Sequence, residues 1–117
     1  MTGEHHFQRA LDAHPGDGAA RLLLAEWLAQ RGDRRAAGYA WAAAAAVAPA
    51  PRRGGCGWTW APALRVAEKA GGPPAGATRA VQRVGYADRG YLATYKTRHA
   101  AEDALAESFA RLRPGEA

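Results

Sequence analysis

The sequence predicts a mainly α-helical protein with one small β-hairpin, an α+β class. Pro15 and Pro49 lie 34 residues apart, and each follows an alanine five positions earlier and an aromatic residue eight positions earlier. A 34-residue period of this kind is typical of antiparallel helix pairs. Farther along, residues 80–86 and 91–96 are two β-prone runs that flank a four-residue turn. The C-terminal residues then return to a helical pattern. We therefore expect a helical hairpin, a β-hairpin and a C-terminal helix.

The first two helices follow from local signals. Apolar residues recur at helical spacing over residues 3–13, and this helix must end before Pro15. Asp17 is a typical N-cap for a second helix over residues 18–31, whose apolar residues fall at i, i+3, i+4 and i+7.

A third helix completes the predicted hairpin. Gly32 is expected to end the second helix, and Asp33 is expected to cap a third helix that runs to about Ala48. We expect the contact between the second and third helices to bury Leu24, Trp27, Leu28, Ala37, Trp41 and Ala44. The alanine-rich face with Ala40, Ala44 and Val47 should be covered by the last helix or by a second copy of the chain.

The remainder of the chain predicts short elements. Residues 50–57 are rich in glycine and arginine and predict a flexible connection. Trp58 and Trp60 follow at strand spacing, and residues 62–70 predict a short helix. Thr97 caps the final helix, whose apolar stripe is Ala101, Leu105, Phe109 and Leu112.

The composition predicts one domain. A chain of 117 residues can bury one core but not two, so we expect a single domain over 1–117, with parts at 1–49, 50–78 and 79–114. The longest apolar run, residues 40–48, is too short to span a membrane, and the N-terminal residues do not resemble a secretory signal. Cys56 is the one cysteine, which excludes an intramolecular disulfide. We expect a cytoplasmic protein with no membrane partner.

The positive charge is concentrated in the middle of the chain. Residues 50–98 carry nine basic and two acidic side chains, whereas residues 1–49 carry five of each and residues 99–117 carry two and four. Such a segment suits phosphate backbones or an acidic protein. Because 14 of the 16 basic residues are arginine, a GC-rich genome would also account for the excess.

Arginine and aromatic residues within this segment are the candidate binding residues. Aromatic rings beside arginines stack on bases, and the same residue types anchor protein interfaces. A third interpretation is that both tryptophans close the open end of the helical hairpin. The candidate residues are Arg52, Arg53, Trp58, Trp60, Arg83, Tyr86, Tyr91 and Tyr95.

The sequence gives no pattern for catalysis, a metal or a cofactor. Cys56 is far along the chain from the histidines, and His5, His6 and Asp12 lack metal-ligand spacing. Glu102 and Asp103 are adjacent, so they point about 100° apart on a helix and do not aim at one site. We interpret both as solvated charges that favour the helix dipole.

Residues 7–42 resemble a known family. The motifs A-x-P-x-D, A-R-L, A-x-W-L and R-G-D-x-R-A begin at Ala13, Ala20, Ala25 and Arg31, and they are similar to those of the short bacterial repeat-companion domain. The spacing is also similar to a tetratricopeptide repeat, although Arg21 and Leu28 stand where aromatic residues are usual. The resemblance implies an α-hairpin in proteins without an established biochemical role, so it assigns no functional residue.

These observations predict a non-enzymatic protein-interaction or accessory module with an unidentified protein partner. The alternative is single-stranded nucleic-acid binding through the basic, aromatic segment 52–98. A small enzyme ranks third, because no catalytic constellation is visible. The oligomeric state stays open.

Overall fold

The computed structural model describes residues 3–55, 57–70 and 75–112. It is mainly helical with one small two-stranded antiparallel sheet, which confirms the predicted α+β class. None of the helices in these ranges is long and apolar enough to cross a membrane. In chain order the elements are α1 (Glu4–Ala13), α2 (Gly18–Gln30), α3 (Ala36–Ala44), β1 (Ala50–Pro51), β2 (Trp58–Thr59), α4 (Ala61–Ala70), α5 (Ala75–Gly85), a 3₁₀ turn (Asp88–Gly90) and α6 (Arg98–Ala110).

The predicted caps of α2 and α6 are confirmed. The side chains of Asp17 and Thr97 each accept a hydrogen bond from the backbone N–H three residues later, at 3.0 and 2.9 Å. Gly32 follows α2 with a φ of +69°, which is the left-handed conformation that ends many helices. These signals are local, so the sequence pattern is sufficient to predict them.

Helix α3 is shorter than predicted: it begins at Ala36 after Arg35, so Asp33 is not its N-cap, and it ends at Ala44 rather than near Ala48. Asp33 accepts a hydrogen bond from the backbone N–H of Arg35 at 2.9 Å and so organises the turn before the helix. The helix ends early because Ala46 adopts a φ of +56° and the Val47 N–H donates to the Ala42 carbonyl at 3.0 Å. This is a Schellman-type ending without its usual glycine.

The predicted contact between the second and third helices is correct for α2 and partly wrong for α3. Leu24 and Leu28 are fully buried, and Trp27 and Trp41 are partly buried. The other two members of the predicted set, Ala37 and Ala44, are exposed, because α3 turns a different face inward.

That inward face of α3 is centred on Gly38 and Ala42, and α6 covers it. A Cβ atom at Gly38 would lie 2.5 Å from the Cα of Ala106, so only glycine allows this approach. The expectation that a later helix covers α3 is therefore correct, but the face is not the predicted one. Val47 is buried as expected.

The predicted β-hairpin of residues 80–86 and 91–96 is wrong. Residues 75–85 form helix α5, which buries apolar side chains at positions 77, 80, 81 and 84 and exposes Gln82 and Arg83. This is the spacing of one helix face, which outweighs the β propensity of the valines. Residues 91–96 form only single bridges, Tyr86 with Leu92 and Tyr95 with Trp58.

The small sheet lies instead at the two ends of the predicted connection: β1 is formed by its first two residues, and β2 follows it, where Trp58 was expected at strand spacing. Ala50 pairs with Thr59 and Pro51 pairs with Trp58 in antiparallel register. The backbone N–H of Arg52 then donates to the Gly57 carbonyl at 2.7 Å, so the chain turns back directly after β1.

The hydrophobic core consists of two clusters. One contains Trp60, Leu64, Val81 and Leu105 and is built by β2 and the helices α3 to α6. The other contains Leu11, Leu24, Leu28 and Tyr39 and joins α1, α2 and α3. Both α3 and α6 supply residues to each cluster, so these two helices connect the N-terminal hairpin to the C-terminal half.

Candidate binding cleft

Three separate segments of the chain form a cleft of about 780 Å³. The first segment is β1 with the two arginines that follow it, the second is the end of β2 with the start of α4, and the third follows the 3₁₀ turn. The lining residues are Ala50, Pro51, Arg52, Arg53, Thr59, Ala61, Pro62, Arg65, Gly90, Tyr91 and Leu92. This volume is within the range of about 300–1,000 Å³ that is usual for ligand sites.

The basic wall of the cleft follows from the sheet and from α4. Because β1 ends at Pro51 and the chain turns back to β2, Arg52 and Arg53 lie beside the β1–β2 pair. Helix α4 starts two residues after β2, which places Arg65 one turn into that helix and on the same cleft. All three arginine side chains are exposed.

The aromatic wall depends on a strained turn. Arg89 and Gly90 have φ values of +71° and +79°, so two consecutive residues are in the left-handed region. The Ala87 N–H donates to the Tyr91 carbonyl at 2.6 Å and closes this turn. Tyr91 is 72% exposed and Leu92 is 46% exposed, which leaves both apolar side chains open to a ligand.

The three arginines of the cleft differ from the arginines of the core. In the part of the chain that the structure describes, Arg52, Arg53 and Arg65 form no ion pair with a carboxylate, whereas Arg21 and Arg98 are both paired. The cleft lining itself includes no acidic residue among those described. Among the described residues, the lining of the cleft therefore carries positive charge and no negative charge.

Three of the predicted aromatic residues have structural roles. Trp60 is fully buried, and its indole N–H donates to the Ala101 carbonyl at 2.6 Å. Tyr95 is partly buried, which raises the pKa of its phenol, and its hydroxyl donates to the Val84 carbonyl at 2.7 Å. Trp58 is also partly buried and exchanges two backbone hydrogen bonds with Tyr95.

The other predicted residues lie outside the cleft. Tyr86 donates to Glu68 at 3.0 Å, a hydrogen bond that raises the pKa of this tyrosine, and Arg83 is exposed on α5. Of the eight predicted residues, the structure thus brings together Arg52, Arg53 and Tyr91. Sequence reasoning missed Arg65, whose only signal was its place in the basic segment. Cys56 lies outside the described residues.

Glu102 was interpreted as a solvated charge, and this is wrong. Its side chain is 2% exposed and accepts hydrogen bonds from both Arg21 and Arg98, which are 1% exposed. Arg98 also donates to Asp12 at 3.0 Å and to the Gln8 side chain at 2.8 Å. This buried network ties α1, α2 and α6 together, so its charges serve the fold.

A second ion-pair network lies nearer the surface around Arg35. Its guanidinium donates to both oxygens of Glu4, at 2.6 and 2.9 Å, and to Asp103 at 3.1 Å. It also pairs with Asp33, and these hydrogen bonds lower the pKa of Glu4 and of Asp33. The pKa of Arg35 itself is raised by the same partners.

The same region contains the described residues that come nearest to a metal site. One donor atom each of Glu4, His99 and Asp103 lies within 4.8 Å of the others, and the His99 Nε2 atom is 3.0 Å from Asp103 Oδ2. However, Arg35 already occupies both Glu4 oxygens and one oxygen of Asp103. Arg35 thus accounts for the two carboxylates but not for the His99 Nε2 atom, which is buried without a hydrogen-bond partner among the described residues, and we assign no metal to the cluster.

Comparison with known proteins yields no relative: no protein-family model, curated protein or solved structure matches the chain. The resemblance to the repeat-companion domain therefore stays a prediction. The function has to be inferred from the cleft itself.

Proposed function

We propose that the protein is a non-catalytic interaction module that binds a partner protein at the cleft. The observation that carries the proposal is the exposure of Tyr91 and Leu92 in one cleft with Arg52, Arg53 and Arg65. Tyrosine and arginine supply much of the binding energy at protein interfaces, and an apolar anchor surrounded by polar groups is the usual arrangement.

The chemistry of the cleft supports binding over catalysis. General acid–base or nucleophilic catalysis needs a carboxylate, histidine, cysteine or similar group next to the reacting atoms. The described residues that line the cleft include no carboxylate, histidine or cysteine. The carboxylates with a lowered pKa, Glu4 and Asp33, are engaged with Arg35 instead.

Nucleic-acid binding through segment 52–98 is the second candidate function. The exposed ring of Tyr91 beside three arginines favours it, because such a ring can stack on a base while guanidinium groups contact phosphates. A run of stacked bases needs several open rings, yet Trp60 is buried and Trp58 and Tyr95 are partly buried. We therefore rank protein binding first.

The proposal is tested by comparing two double variants in affinity purification from native extract, followed by titration with the purified partner. In the cleft variant, Tyr91→Ala and Leu92→Ala remove the exposed apolar pair. In the control, Leu22→Ala and Leu23→Ala remove a similarly exposed pair on α2, with exposures of 46% and 56%. We expect the cleft variant to bind the partner at least about tenfold more weakly. The control should bind as the wild type does.

A partner that binds the cleft variant with wild-type affinity would contradict the proposal. Both pairs are exposed, so neither double variant is expected to unfold the protein. Circular dichroism of each variant checks this point.

A further inference from the structure

We propose that the segment bound in the cleft is an acidic peptide, recognised through its carboxylates by Arg52, Arg53 and Arg65. This inference rests on the proposed function and adds the chemistry of the partner. It follows from the charge, the backbone and the apolar lining of the cleft.

The positive charge of the cleft favours the binding of anionic groups on a ligand. Arg52, Arg53 and Arg65 come from two separate segments, line one volume and form no ion pair with a carboxylate in the described ranges 3–55, 57–70 and 75–112. Because the three guanidinium groups line the same cleft and no described acidic residue lines it, a carboxylate bound there would be attracted to them. Arginine and carboxylate also form paired, planar hydrogen bonds, which gives direction as well as charge.

The backbone of β1 does not favour the pairing of a bound peptide with this strand, so the peptide is recognised through side chains. A peptide that extended the small sheet would need N–H donors on the outer edge of β1, but that strand contains Pro51, which has no N–H. The bound segment therefore gains its affinity from the arginines and from apolar contacts rather than from strand pairing.

The apolar lining distinguishes a peptide from a bare anion. Pro51, Pro62, Tyr91 and Leu92 lie on the same cleft as the arginines. A ligand that satisfies both kinds of surface carries an apolar side chain between acidic ones. A short acidic peptide with one leucine meets this description, and the volume of about 780 Å³ suits a segment of a few residues.

The inference is tested with labelled peptides and fluorescence anisotropy at low salt. The probe peptide has four glutamates around a central leucine, and its matched control has four glutamines instead. The Arg52/Arg65 variant replaces both of these cleft arginines by alanine. Its control, the Arg9/Arg111 variant, replaces by alanine two arginines that are exposed and do not line the cleft. A labelled oligothymidine of similar length serves as the nucleic-acid probe.

We expect the wild type to bind the glutamate peptide at least about tenfold more tightly than the glutamine peptide. Binding of the glutamate peptide should weaken about tenfold in the Arg52/Arg65 variant and less than about twofold in the Arg9/Arg111 variant. It should also weaken with added salt, because the contacts are between exposed charges.

Several results would overturn the inference. These are undetectable binding of the glutamate peptide, equal binding of the two peptides, and equal losses in the two arginine variants. Tighter, arginine-dependent binding of the oligothymidine would favour the nucleic-acid function.

Binding of the native partner to the two cleft variants distinguishes a failure of this inference from a failure of the proposed function. If the Tyr91/Leu92 variant loses that partner and the Arg52/Arg65 variant keeps it, the acidic-peptide inference fails and the proposed function stands. If both variants keep the partner, the proposed function fails as well.

Discussion

Glu102 is the buried anion that holds two arginine side chains inside the protein. Glu102 and Asp103 do point in different directions from α6, as adjacent helical residues must. The consequence is that Asp103 reaches the partly exposed network of Arg35, whereas Glu102 points into the protein between Arg21 and Arg98. Two buried guanidinium groups around one carboxylate make that carboxylate essential to their charge balance.

Replacement of Glu102 by glutamine is expected to destabilise the fold by about 3–5 kcal/mol, because it leaves two buried arginines without their shared anion. The measurement is the free energy of unfolding in urea. Glu107→Gln on the same helix is the control: its side chain is 45% exposed and 4.0 Å from Arg34, so its loss should be below about 1 kcal/mol. Similar losses in the two variants would show that the Glu102 network is not held by buried charge.

At the scale of elements, α3 shows how a helix with little apolar bulk can still be central. Its alanines and Gly38 let α2 and α6 pack closely against it, and the partly buried Trp41 packs on Phe109 of α6 with ring centroids 5.4 Å apart. The position of Gly38 against the backbone of α6 sets the face that α3 turns inward. The alanine run alone contains no information about that choice, since all its faces look alike.

Gly38→Ala is expected to destabilise the protein by about 1–3 kcal/mol although alanine is the better helix former, because the new methyl group would meet the backbone of Ala106. Gly18→Ala is the matched control in α2, where the nearest atom, the Ala43 carbonyl oxygen, is 4.0 Å away. Thermal unfolding should show a loss only for Gly38→Ala. A gain in stability at both positions would mean that α6 does not approach α3 this closely.

At the scale of the whole molecule, the two core clusters share helices and so should unfold together. Tyr39 and Ala42 lie less than one turn apart on α3 but belong to different clusters, and the adjacent residues Leu105 and Ala106 of α6 do the same. Loss of order in one cluster therefore removes support from the other. The prediction of a single domain over 1–117 depends on this coupling.

Leu28→Ala should lower the free energy of unfolding by about 2–5 kcal/mol, since Leu28 is fully buried in the N-terminal cluster. The unfolding curve is recorded both by circular dichroism and by tryptophan fluorescence in a Trp27→Phe background, because Trp41, Trp58 and Trp60 then report on the other cluster. We expect one transition that shifts equally in both signals. Two separate transitions, with the fluorescence curve unmoved, would show two independently folding units.

Features that depend on neighbours along the chain can be predicted from the sequence. The caps at Asp17 and Thr97 need partners only three residues away, the left-handed residue at Gly32 ends α2, and the excess of basic charge is a matter of counting. The amphipathic stripe of α6, with Ala101 and Leu105 buried, is of the same kind. These features follow from helical periodicity and local hydrogen bonds, so they were predicted correctly.

Features that depend on contacts between distant segments are set by the packing of the folded chain. The inward face of α3 is set by the close approach of Gly38 to Ala106 of α6, since the alanine run of α3 looks alike on every face. Glu102 is buried because Arg21, 81 positions earlier, lies opposite it. The cleft is lined by residues from three segments, 50–53, 59–65 and 90–92. Arg65 is one of the lining residues, whereas Trp60 in the same segment is buried in the core. A sequence pattern gives the spacing of residues within one element. These outcomes depend instead on how elements pack against one another, and residue spacing carries no information about that packing.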